Sequence, residues 1–384
     1  MRSMKTGICE AHLLDASVAE DRAEWVSLWN VSKFRRPHDH PGFLEATRST
    51  GERPMAVACL AGAHLLSLYP FNVLDLAQLP FARQFSDAPG VDVISPYGYG
   101  GATCEDDANR QGVEEALEQA LSEFFVRMNV VSEFVREDLF QQHLIPRRDS
   151  ERLVVQPNIV VDLRVSPEER WQRYSPKVRR YMCRAAEAGI RIRIGDADEY
   201  LEPFIDVYYG TMKRQNASGY YFFAKEDLRR LHDSLKPSGG IQYALASLED
   251  RVISAQLLLF STDTMYSFLS GTDETYFKLR PFEFLKQHVI TWGHEHGYAS
   301  FVLGGGLKPN DGLFQFKRKF EPRGLMDFCV RRIVWDRERY DSLVAAREAW
   351  EADMGRVWRP EPDFFPAYRA HSMVEETTSP PTAA

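Results

Sequence analysis

Cysteine is scarce in this chain. Five cysteines (Cys9, Cys59, Cys104, Cys183 and Cys329) are scattered over 384 residues, and none forms a C-x-x-C pair. That excludes a disulfide framework and gives no zinc knuckle or redox dithiol. No apolar run approaches the roughly 18 residues that a membrane span needs. The opening MRSMKTGICEAHLLD has no long apolar stretch after its basic residues, so a secretory leader is not expected. The histidines lack metal spacing. His294 and His296 stand in HEH rather than H-E-x-x-H, and no metal is expected. No G-x-S-x-G elbow is present, which argues against a serine hydrolase. The simplest expectation is a soluble protein of a reducing compartment, the cytoplasm.

What is present is ordinary for a folded chain: 44% hydrophobic, 12% aromatic and 27% charged residues. At about 150 residues per domain the length predicts two or three domains. The net charge of −8 is unevenly spread. The acidic excess lies in residues 1–150, whereas 151–323 is slightly basic. A polyanion meets a local patch rather than a net charge, so the middle block is where a phosphate-bearing partner is sought. A mildly basic solvated surface is the plainer account.

Periodicity supplies the elements. Trp25 and Trp29 sit four apart on one helical face, before Pro37 and Pro41 break the helix. PMAVACLAGAHLLSLYPF reads as a buried hairpin. GVEEALEQALSEFFVRM is an amphipathic helix. NVVSEFVR and LVVQPNIVVDL read as strands. From residue 166, Ser166 as N-cap and Pro167 at the first helical position open a helix. Pro176 divides it and Gly189 ends it. IRIRI is a strand, 198–214 and 224–235 are helices, and IQYALASLEDRVISAQLLLFSTDTMYSFLSGT holds three strands with LEDR and STDT turns. Residues 281–296 form a helix, and FVLGGG is a strand ending in a glycine loop. The predicted fold class is α/β (α+β): two units in tandem, each a mixed curved sheet flanked by helices. The boundaries read are 1–159, 160–330, a helical extension 331–371 and a disordered tail 372–384.

Six segments then point the same way: PYGYGG (Pro96 to Gly101), VSEFVR (Val131 to Arg136), WQRYSPKVRRYMCRAAEAGI (Trp171 to Ile190), TMKRQNASGYYFF (Thr211 to Phe223), FLSGTDETYFKLRPFEFLKQHVITWGHEHGY (Phe268 to Tyr298) and LGGGLKPNDGLFQFKRKF (Leu303 to Phe320). In this order they resemble the Fem-type branch of the GNAT acyltransferases. That branch includes the peptidoglycan interpeptide-bridge aminoacyltransferases and relatives filed as BioF2-like acetyltransferases. The resemblance covers about residues 20 to 325. It implies two tandem GNAT-like domains, with the donor–acceptor cleft formed mostly by the second. It also implies transfer of an aminoacyl group from a charged tRNA to an amine, with no tightly bound cofactor and no role for DNA. Some members carry a coiled-coil arm. No sustained heptad stretch exists here, so the chain resembles the armless type.

The same resemblance assigns the candidate site. Phe316 and Lys317 match a Phe-Lys pair whose lysine steadies the transition state. Acyl transfer to an amine passes through an oxyanion, and a fixed cation beside it lowers the barrier. The plain alternative makes Lys317, Arg318 and Lys319 surface basics flanking an apolar strand. Gly304 and Gly305, in the bend before this pair, belong to the substrate site. Arg214 resembles an arginine that binds acceptor phosphate or carboxylate, which its bidentate fork suits. Tyr220, with Tyr221 beside it, is placed to hydrogen-bond the acceptor, or packs as a core aromatic. Tyr266 lines the acceptor cleft or simply faces inward from its strand. In the first domain Lys33, Arg35 and Arg36 form a basic cluster where relatives hold the acceptor phosphate.

Lys177, Arg179, Arg180 and Arg184 lie in a stretch suited to tRNA phosphates; an ordinary basic helix face explains them as well. The segment TYFKLRPFEFLKQ departs from the glycine-rich loop with which acetyl-CoA enzymes cradle pyrophosphate. It has no glycine, and Pro281 removes one N–H. Three functions remain in view. The first is an aminoacyl-tRNA-dependent N-acyltransferase acting on a cell-wall precursor or small amine. The second is an acyl-CoA-dependent N-acetyltransferase. The third is a non-catalytic GNAT pair that binds a glycan or protein.

Overall fold

The computed structural model describes residues 3–6, 8–84, 89–145, 147, 150–216 and 222–371. The first half opens with the short strands β1 (Ser3–Thr6) and β2 (Cys9–Asp15), then helix α1 (Ala19–Val31). Trp25 and Trp29 are both buried from α1, and each indole N–H finds a carbonyl: Trp25 donates to Asp39 at 2.9 Å and Trp29 to Arg36 at 2.7 Å. These bonds pin the loop after α1 beneath it. Helix α2 (Pro41–Thr47) follows, then the hairpin β3 (Glu52–Ala61) and β4 (His64–Asp75), turning at Gly62. Strand β5 (Val91–Ile94), helix α3 (Arg110–Arg127) and strand β6 (Val130–Arg136) complete this half. The apolar stripe of α3, from Val113 to Phe125, packs on the sheet.

The second half begins in strand β7 (Glu151–Asp162), so the 159/160 junction read from sequence falls within a strand. Helices α4 (Pro167–Arg173) and α5 (Pro176–Glu187) are separate, each with proline at its first position. Ser166 accepts from Glu169 N at 3.2 Å, and Ser175 accepts from Val178 N at 3.3 Å. Next come β8 (Arg191–Gly195), α6 (Leu201–Arg214), α7 (Lys225–Leu235) and the meander β9 (Ile241–Leu248), β10 (Arg251–Phe260) and β11 (Thr264–Thr272). Helix α8 (Pro281–Glu295), strand β12 (Ser300–Gly304), helix α9 (Gly312–Arg318), strand β13 (Leu325–Val334) and helix α10 (Arg337–Asp353) end the described order.

One sheet joins all the described strands, in the order β1-β2-β3-β4-β5-β6-β13-β7-β12-β11-β10-β9-β8. The two halves repeat a pattern. Antiparallel strands lead to one parallel pair, β5 with β6 in the first half and β11 with β12 in the second, each spanned by a helix (α3 or α8). The next strand of each half then crosses over. β7 adds to β12 of the second half, and β13 returns to pair with β6 of the first. β7 and β13 pair with each other over Leu325–Arg332, which closes the seam. A mixed core forms where α1 and α2 meet α6 and α7: Trp25, Phe43 and Leu44 share one cluster with Phe204, Leu228 and Leu231.

Two sequence readings need correction. LFQFKRKF is not a strand flank. Asp311 accepts from Phe314 N at 2.8 Å and caps a helix, α9. The 331–371 segment is not helical from its start, because residues 331–334 finish β13 before α10 begins. The tail expectation for 372–384 lies outside the described residues. No helix among them is long and apolar enough to cross a membrane.

Candidate active site

β11 and β12 pair over only three residues each, Thr264–Tyr266 against Ser300–Val302. Beyond that point β11 runs on to Thr272, while β12 bends at Gly304, whose φ of +80° lies in the left-handed region. The strands part, and a cleft of about 1230 Å³ opens between them. Its walls come from β11, the C-terminal end of α6, the first turn of α8, the glycine bend and α9, with Tyr97, Tyr99 and His38 reaching in from the first half.

At the floor stands Lys317. Its Nζ donates to the Gly305 carbonyl at 2.6 Å and forms no ion pair among the described residues. Burial lowers its pKa to about 8, with the Asp311 carboxylate pulling the other way. The triple-glycine bend leaves no room for side chains. A Cβ at Gly304 would stand 3.2 Å from Lys317 Nζ, and one at Gly305 would stand 2.6 Å from Asn158 Oδ1. Phe316 stacks on Phe282 with centroids 5.6 Å apart, tying α9 to the start of α8.

Tyr266 enters from β11, its ring against His38 at 4.8 Å and Tyr99 at 5.9 Å. Burial pushes the Tyr266 phenol well above its usual range. Asn158 donates to the Tyr99 hydroxyl at 2.7 Å. His38 is kept neutral, its pKa pushed down to about 3 by burial and by the Arg36 charge. Arg214 closes the other end. Its guanidinium lies over the Phe277 ring at 4.8 Å, and the nearest carboxylate, Glu274, is 3.9 Å away. Lys278 and Arg280 line the same mouth.

The structure therefore gathers Lys317, Phe316, Gly305, Tyr266 and Arg214 around one cleft, with Gly304 at its bend. Two others go elsewhere. Arg36 is buried and neutralised by Asp39, at 2.6 and 2.9 Å, with Asp138 at 3.7 Å, and it donates to the Gly101 carbonyl at 2.6 Å. It braces the PYGYGG turn from behind. Lys33 lies at the surface paired with Asp107 at 2.8 Å. Tyr220 lies outside the described residues. Lys177, Arg180 and Arg184 are exposed on α5, and Arg179 is half-buried. α5 packs beside α8 and the 274–279 turn, where Arg280 and Lys177 both approach the Tyr181 ring. The basic face thus adjoins the mouth.

Sequence reading missed His38, Ser267 and Lys286. Lys286 had a readable signal. It stands four residues from both Phe282 and Ile290, which puts it in the apolar stripe of α8. Among the described residues no cluster of His, Cys, Asp and Glu is arranged to hold a metal ion.

Comparison with known proteins adds to this geometry. Residues 172–318 match the model of the acetyltransferase (GNAT) domain. That match lies wholly in the second half of the chain. FemX is similar in structure at a TM-score of 0.62 and 12% identity, over 84% of this chain and 98% of FemX. So is the C-terminal domain of a putative lysylphosphatidylglycerol synthetase from Agrobacterium fabrum, at a TM-score of 0.54 and 12% identity, over 87% of this chain and 97% of that one. No curated protein sequence matches. The likenesses establish the fold alone, one shared with FemX and with that synthetase domain. The parted strands β11 and β12, with α8 between them, lie within the matched residues.

Proposed function

We propose that this GNAT cleft transfers an aminoacyl group from aminoacyl-tRNA to an amine, on a cell-wall precursor or a small metabolite. The observation that carries the reading is Lys317: a half-buried ammonium with one backbone acceptor at the floor of the cleft. Gly305 takes one of its N–H groups, and the others are free to meet an oxyanion. The amine nitrogen attacks the ester carbonyl carbon, negative charge collects on the carbonyl oxygen, and Lys317 steadies it. In a site withdrawn from water such a donor contributes about 100-fold or more to the rate.

Donor choice rests on two features. The exposed Lys177, Arg180 and Arg184, continued by Lys278 and Arg280, make a basic track to the mouth, suited to an RNA backbone. The first turn of α8 is ill suited to a pyrophosphate, because Pro281 lacks an N–H and the buried Glu283 carboxylate sits one turn in, 3.6 Å from Arg280. Arg214, stacked but only loosely paired, would hold an anionic group of the acceptor.

One observation favours acyl-CoA instead. Residues 267–270 of β11 have no strand partner on the β12 side, so the backbone groups they turn that way are open to the amides of a pantetheine-like arm. The two readings separate in one experiment. The protein is incubated with a pool of charged tRNAs and, separately, with acyl-CoAs, each with candidate amines, and donor loss is followed. Loss of aminoacyl-tRNA that depends on both amine and Lys317 is expected. Donor loss with acyl-CoA alone would overturn the tRNA assignment.

A further inference from the structure

Helix α8 buries an amine that the reading above does not use. Lys286 is 2% exposed and lies on the apolar face of α8 with Leu285, Val289 and Ile290. A methionine would fill the same space at less cost, since a buried charge without a counter-ion is expensive. The Phe282 and Phe301 rings flank Nζ at 5.0 and 5.1 Å. Its polar contacts are Gln256 Oε1 at 2.9 Å and Ser267 Oγ at 3.1 Å. Ser267 in turn lines the cleft, one residue along β11 from Tyr266.

We propose that Ser267 and Lys286 form a proton relay that takes up the proton released by the attacking amine, an inference that rests on the acyl-transfer reading. The charge that bears on Lys286 favours its neutral form. Across from it, α9 presents Lys317, a like charge. On its own helix, Glu283 is engaged with Arg280. β10, β11 and β12 offer Gln256, Ser267 and Phe301, none of them charged. Burial, and then Lys317, push the Lys286 amine well below the usual lysine range.

A neutral Nζ donates to Gln256 Oε1 and keeps a lone pair for the Ser267 hydroxyl. Gln256 Nε2 donates to Ser267 Oγ at 2.6 Å from the other side. With its proton turned to Lys286, Ser267 Oγ keeps a lone pair for a substrate N–H. When the amine attacks, a C–N bond forms and the nitrogen becomes positive. Its proton passes to Ser267 Oγ as the Ser267 proton passes to Lys286 Nζ, and the nitrogen keeps the electron pair. When the ester C–O bond breaks, the leaving oxygen keeps that bonding pair and recovers a proton from Lys286 through Ser267. The net result is amide, free hydroxyl and an unchanged relay. Ser267 touches the substrate; Lys286 acts through it as a positioning residue and proton store.

The test uses the full chain and the donor that the wild type consumes. Lys286→Met and Ser267→Ala are each expected to lower kcat about 100-fold, leave the acceptor KM within about twofold and flatten the acid limb of the kcat–pH profile. Ser267→Thr is expected to restore the limb. Lysine side-chain NMR on unliganded protein gives a second readout, independent of turnover: the signal missing from Lys286→Met should titrate well below the other lysines. Unchanged kcat and pH profile in Ser267→Ala, or a Lys286 signal that stays charged through neutral pH, overturns the relay while leaving acyl transfer standing. A wild type that turns over neither charged tRNA nor acyl-CoA removes the acyl-transfer reading, and the relay with it.

Discussion

Lys286 is fully buried and Lys317 half-buried at the cleft floor, and they answer pH in different ways. Lys317 must be charged to meet an oxyanion. Its pKa, lowered to about 8 by burial, keeps it charged at neutral pH and lets it go as pH rises through that value. The rate of donor consumption should therefore fall above about pH 8 in the wild type. In Lys317→Arg, whose guanidinium does not titrate in this range, the residual activity should persist to higher pH. A wild-type rate that stays flat to pH 10 would count against Lys317 as the oxyanion partner. Lys286 bears on stability. Its folded pKa is lower than its unfolded one, so between the two the unfolded chain binds more protons, and stability rises with pH across that window. The cost of the buried amine is fully present below the folded pKa. Lys286→Met removes this dependence. Urea titrations of the two proteins should show the variant gaining on the wild type as pH falls, and the gap closing as pH approaches the ordinary lysine range.

At the scale of elements, the cleft depends on how closely α6 lies on β11. Gly271 makes that approach possible: a Cβ there would stand 2.5 Å from the Val207 carbonyl oxygen, a backbone atom that has nowhere to go. Thr211 ties the same contact, accepting from Thr272 N at 2.8 Å and facing the Val207 carbonyl at 3.1 Å. Gly271→Ala should destabilise the protein by about 1–3 kcal/mol in chemical denaturation. It should also raise the acceptor KM, because α6 carries Arg214 to the cleft mouth. An unchanged unfolding midpoint would mean that α6 does not bear on β11 in solution. The elements that sequence made legible are those whose period spans several turns or alternations: α3, α5, α8 and the β9–β11 meander. The four-residue β1 and β5 offer too few residues for a period, and β13 (LMDFCVRRIV) breaks alternation with Arg331 and Arg332 side by side. The site divides the same way. Phe316–Lys317 and the glycine bend are local in sequence and carry a readable pattern. Arg36 looks like an available cation until folding brings Asp39 and Asp138 to it, and Asp138 is distant in sequence. Ser267 gains its meaning only from Lys286, on another element.

For the whole molecule, the crossing of β7 and β13 means that neither half owns a complete sheet. β6 is left with an open edge unless β13 arrives from the far end of the chain, and β12 needs β7. Charged groups reinforce the seam. Arg331 on β13 and Arg152 on β7 both bond Glu137 at the end of β6, Arg152 at 2.9 Å. Arg331 also donates to the carbonyl of Arg147, which itself bridges Glu133 of β6 at 3.0 Å and Glu118 of α3. The shared core of α1, α2, α6 and α7 adds apolar burial across the same divide. Pulling the halves apart would expose two unpaired strand edges and that core together, so partial unfolding of one half has no stable product. Hydrogen exchange followed by mass spectrometry along a urea series tests this. Peptides from β3 in the first half and β10 in the second should lose protection at the same denaturant concentration, in one cooperative step. A chain ended after residue 323, lacking β13 and α10, should lose protection in β3–β6 as well as near the cut. Two separate transitions in the intact chain, or a truncated chain whose first half keeps full protection, would show that the tandem units fold independently and that the exchanged strands only decorate them.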